Sequence, residues 1–178
     1  SAWAKKPASS CRVKKVAYWI EMEQPGAPAR HAFVSMDAFT QDLSKIGIPT
    51  AASGASFQQA VTGLRVASNV EGLATAGGAT GWIEFWPDNY GTGNDAKVPG
   101  ASDDLYDTGD SRSGPTDGYG SMQVHLPAKQ LTVFALNHWR EGPKADLGLG
   151  NSSGDTRDWT FTGQAGTYTR KRLVVLVK

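Results

Sequence analysis

Cysteine is almost missing: Cys11 is the single one in 178 residues, which excludes an internal disulfide and a cysteine-rich zinc site. Histidine is scarce as well. His31, His125 and His138 leave little for a histidine-based metal centre. Neither sign of charge is in excess: eighteen Lys and Arg against seventeen Asp and Glu give a net charge of +1, so there is no electrostatic footprint for nucleic acid. No apolar run approaches the ~18 residues of a membrane helix, and no membrane span is expected. Ser1 to Lys6 lead into no apolar stretch of the signal-peptide kind. The chain carries no G-x-S-x-G elbow, no phosphate loop and no EF-hand pattern.

Glycine and aromatics are plentiful instead. Glycine contributes 21 residues, with nine Pro and six Trp, against a usual glycine share of about 7%. Short alternating segments punctuated by turn residues predict strands: Val13–Glu23, Ala32–Met36, Leu64–Val70, Thr80–Trp86, Ser121–His125, Leu131–His138, Trp159–Thr162 and Leu173–Lys178. Asp37–Ile46 is the one helix candidate, with Asp37 as its cap and Gly47 and Pro49 as its stop. Pro87–Gly120 and Lys144–Thr156 have no apolar periodicity and are expected as loops. The whole chain, 1–178, is read as a single all-β domain: an antiparallel, jelly-roll-like β-sandwich with long Gly/Asp-rich loops and one short helix.

The Asp-rich segment gives the first chemical expectation. Calcium takes six to eight oxygen ligands, and Asp88, Asp103, Asp104, Asp107 and Asp110 are the candidate set, with calcium as the candidate cofactor. The same residues also favour turns for purely local reasons. Aromatic and polar residues cluster elsewhere. Trp86, Asn89 and Tyr90 form one group, Tyr119, Gln123 and His125 a second, and Asn137, Trp139 and Arg140 a third. A sugar presents apolar C–H faces and a rim of hydroxyls, and aromatic planes with amide, carboxylate or guanidinium neighbours meet both. Catalytic sets are weakly selected. Ser121, His125 and Asp107, or the Glu84–Asp88 carboxylate pair, can be drawn, but no spacing singles them out.

Charge is uneven along the chain. Lys5, Lys6, Arg12, Lys14 and Lys15 lie at one end and Arg170, Lys171 and Arg172 at the other. These ends are read as solvated surface; meeting on one edge of the fold, they would favour an anionic glycan.

The runs TGWIEFWPDNYGTGNDAKVPGASDDLYDTGD (80–110), DGYGSMQVH (117–125), FALNHW (134–139), DLGLGN (146–151), DWTF (158–161) and RLVVLV (172–177) are similar to an accessory module of secreted carbohydrate-active proteins in planctomycete-type bacteria. There it stands beside sialidase and sialate O-acetylesterase domains. The resemblance covers Leu64 to Lys178 and supplies no site residues. It implies a β-sandwich that binds glycan or supports a neighbouring catalytic domain, in an extracellular or periplasmic setting.

The leading expectation is therefore a non-catalytic carbohydrate-binding module, calcium-assisted, monomeric and part of a larger secreted protein. Its partners would be a polysaccharide or glycan and a catalytic domain of the parent chain, not nucleic acid. The alternatives are a small glycan-active hydrolase or lyase on a jelly-roll scaffold, and a structural interdomain module.

Overall fold

The computed structural model describes residues 12–49, 53–87, 120–138, 146–150 and 168–178. Eight strands carry the fold: β1 (Lys15–Glu23), β2 (Arg30–Asp37), β3 (Phe57–Ser68), β4 (Ala79–Trp86), β5 (Gly120–Leu126), β6 (Leu131–His138), β7 (Asp146–Leu149) and β8 (Arg170–Val177). All pairings are antiparallel, and the sheet order is β7-β6-β5-β4-β3-β2-β1-β8. The all-β antiparallel expectation holds. The connectivity is simpler than a jelly roll: from β1 to β7 each strand pairs with the next in sequence, and β8 returns to β1. The two layers of the core are thus two halves of one curled, nearly closed sheet. Parity supports this curl, because β7 and β8, the two edges, run in opposite directions, as neighbours in an up-and-down barrel do.

Strand β3 makes the bend. Its C-terminal half pairs with β2 through Arg65–Ser68 and its N-terminal half with β4 through Phe57–Val61, with a register shift between Val61 and Leu64. Gly63 sits in that shift at φ 65°, and a Cβ there would come within 2.7 Å of the Asp37 carboxylate. A bulge with glycine in the left-handed region bends a strand and redirects the residues beyond it.

Alternation decides what the curl encloses. In β1, Val16, Tyr18, Ile20 and Met22 point inward and are buried. Val34 and Met36 of β2, Ile83 and Phe85 of β4, Met122 and Val124 of β5, and Phe134 and Leu136 of β6 join them. Tyr18 and Phe134 meet at 5.2 Å between ring centroids, so the β1 half packs directly on the β6 half. The Tyr18 hydroxyl donates to the Ile46 carbonyl at 2.9 Å, and burial pushes the phenol pKa up.

Three local expectations are corrected. The helix predicted over Asp37–Ile46 is only a single 3-10 turn, Leu43–Lys45, capped by Asp42. Asp37 ends β2 instead, where its carboxylate takes the Lys15 ammonium and the Thr62 hydroxyl, and these cross-strand partners outweigh a local cap. Residues 146–149, expected as loop, form β7 against β6. Phe57–Val61 extends β3 well before Leu64. The predicted strand Trp159–Thr162 lies outside the described residues. No helix among the described residues is long and apolar enough to cross a membrane.

Candidate functional site

Both faces of the β4–β6 half are buried. Its outer face carries Trp82, Glu84 and Trp86 from β4 opposite His125 and Gln123 from β5. His125 Nε2 lies 3.6 Å from Glu84 Oε2, and His125 Nδ1 lies 3.1 Å from Thr132 Oγ1. Gln123 is 1% exposed, His125 0% and Trp86 7%, so none of these three is open to solvent. The Trp82 and Trp86 indole nitrogens and Gln123 Oε1 find no hydrogen-bond partner among the described residues. The structure thus brings Trp86, Gln123 and His125 onto one buried face. Asn137 is on β6 opposite Ser121. Asn89, Tyr90, Tyr119, Trp139 and Arg140, and all five acids expected to hold calcium, lie outside the described residues. Among those described, no group of three His, Cys, Asp or Glu is placed to hold a metal ion.

The other half of the sheet differs. Its outer face is open, and its registers place unlike side chains in three parallel rows. The central row is Val174, Trp19, Phe33 and Ala67, read across β8, β1, β2 and β3. One flanking row is Leu176, Ala17, Ser35 and Arg65; the other is Arg172, Glu21 and His31. Phe33, Val174 and Leu176 are exposed, at 37%, 38% and 47%. Single exposed apolar residues are ordinary, but neighbouring ones on one face mark an interaction surface.

Trp19 is fixed at the centre of this face. His31 stacks on it at 5.3 Å and 22°, and its indole N–H donates to Glu21 Oε2 at 3.3 Å. Arg172 stands 3.6 Å from the same Glu21 oxygen. The indole N–H, with the Arg172 and Arg170 guanidiniums nearby, holds the Glu21 carboxyl below its ordinary pKa. The aromatic plane is therefore oriented before any ligand arrives.

Beside the aromatic row, Phe33, Ala17 and Leu176 floor a groove of about 340 Å³ whose rim carries Lys15, Arg65 and Lys178. The start of β1 and the end of β8 meet here, where Lys14 and Lys15 donate their amide N–H groups to the Lys178 carbonyl at 2.6 and 3.0 Å. Arg170, Lys171 and Arg172 instead pair with Glu23, Met22 and Glu21 at the far end of β1, so the two basic clusters do not share one end of the sheet.

Trp19, Phe33 and Arg65 are not among the residues expected from the aromatic-polar clusters near strand ends. Their signal lies in the alternation. In KVAYWIEME, Trp19 shares its parity with Lys15 and Glu21, not with Tyr18 and Ile20. Compared with known proteins, the chain matches no family model, no curated protein and no solved structure.

Proposed function

We propose that this protein is a non-catalytic carbohydrate-binding module whose ligand lies on the outer face of β8, β1, β2 and β3. The observation that carries the reading is the side-by-side placement of Trp19 and Phe33 on an open sheet face, with the indole held by Glu21 and His31. A pyranose ring has an apolar C–H face that packs on aromatic carbon, and its hydroxyls need donors and acceptors at the border. Ser35, Glu21 and Arg172 supply them. A shallow, pre-oriented platform with few polar anchors suits a long polymer better than an enclosed small molecule. The resemblance noted in the sequence points the same way, to a module within a secreted glycan-active protein.

A glycan array with and without calcium tests this. The expected result is retention of one glycan class by the wild type and its loss in Trp19→Ala and Phe33→Ala, with Phe33→Ala keeping the wild-type Tm. Binding that disappears on chelation would assign calcium to the Asp88–Asp110 set. Binding indifferent to both aromatic substitutions would exclude this face as the ligand site. Silence on every glycan, with self-association abolished by Phe33→Ser, would favour an interdomain surface instead.

A further inference from the structure

We infer that the groove beside the aromatic row selects a carboxylate-bearing sugar. This inference rests on the carbohydrate-binding reading above and names its ligand class. Charge complementarity within one small depression carries it. The groove is floored by Phe33, Ala17 and Leu176 and rimmed by Lys15, Arg65 and Lys178, and no Asp or Glu lines it. Lys15 is already paired with Asp37. Arg65 and Lys178 are exposed, and no Asp or Glu of the described residues pairs with either. Asp37 is the nearest acid and is taken by Lys15 and Thr62, so Arg65 and Lys178, unpaired with any Asp or Glu of the described residues, are left beside an apolar floor for an anionic ligand group.

A uronate-type ring fits both halves of that site. Its C–H face rests on Phe33 and Leu176, and its ring carboxylate reaches the rim. A guanidinium offers two parallel N–H donors matched to a planar carboxylate, and a lysine adds a point charge. The Ser35 hydroxyl, between Ala17 and Arg65 in the same row, is placed for a ring hydroxyl. A duplex or an RNA would need a far broader basic surface than these two cations.

The experiment is retention of the intact chain on immobilised polyuronates, polygalacturonate and alginate. Fully methyl-esterified pectin, neutral glucans and dextran sulfate serve as comparisons. The expected result is retention on a polyuronate and little on methyl-esterified pectin, which has the same ring without the charge. Arg65→Gln should weaken uronate retention about tenfold, the scale of one charge-assisted hydrogen bond, with an unchanged Tm because the side chain is exposed. Lys178→Gln should weaken it less, and raised salt should weaken it in the wild type. Retention on neutral glucans that is lost in Trp19→Ala but indifferent to Arg65→Gln would overturn the carboxylate preference and leave the carbohydrate reading standing. Equal or stronger retention on dextran sulfate would overturn it in favour of general polyanion binding. No retention on any glycan would overturn both.

Discussion

At the scale of single residues, two side chains carry more than packing. Tyr18 is fully buried and its hydroxyl satisfies the Ile46 carbonyl. Tyr18→Phe keeps the ring contact with Phe134 but leaves a buried acceptor unpaired, which costs about 1–3 kcal/mol. Chemical denaturation should show that loss with an unchanged m-value. Asp37 is half-buried, and its carboxyl is held below the ordinary value, first by the Lys15 ammonium and then by the Thr62 hydroxyl. A depressed folded pKa stabilises the native state fully above the unfolded value, near pH 4, and that stabilisation is lost as pH falls through the lowered folded value. Tm measured from pH 6 downward should therefore fall less steeply in Asp37→Asn than in the wild type. Parallel acid limbs would show that the Lys15–Asp37 pair contributes nothing measurable, as many exposed pairs do.

At the scale of elements, legibility in the sequence depended on how local the cause is. Strands β1, β2, β4, β5, β6 and β8 are legible because they are short runs rich in β-branched and aromatic residues bounded by turn residues, with every second residue of β1, namely Val16, Tyr18, Ile20 and Met22, apolar and buried. Strand β7 is not legible. Its DLGL is four residues long and is set by pairing with Leu136 and Phe134 rather than by its own propensity. The helix expected over 37–46 failed for the converse reason: Asp37 has good local capping chemistry, but partners from β1 and β3 take its oxygens first. The site shows the same division. The face to which Trp19 and Phe33 belong follows from parity alone. That Arg65 and Lys178 share a groove follows only from the β1–β8 and β2–β3 registers, which no local pattern contains.

At the scale of the whole molecule, the decisive contact is the most distant one. Strand β8 covers the free edge of β1, and at its end the Lys14 amide donates to the Lys178 carbonyl at 2.6 Å. Such non-local pairing slows folding. Removal of residues 170–178 uncovers an eight-position edge on β1, from Val16 to Glu23, with Leu173, Val175 and Val177 gone from the core margin. Exposed apolar edges recruit other chains. Light scattering of the shortened chain should show aggregation where the full chain stays dispersed. A dispersed shortened chain with the wild-type Tm would mean that the sheet needs no such cover.

The joining of Lys14 and Lys15 to Lys178 also has a mechanical meaning. The two strands that carry these residues are antiparallel neighbours, and their outer ends lie at the same end of the pair. A force applied at Lys14 and Lys178 pulls the strands apart like a zipper and loads one backbone hydrogen bond at a time. It does not shear the whole ladder at once. Pulled by these two points, the domain opens from the cationic end of its own groove.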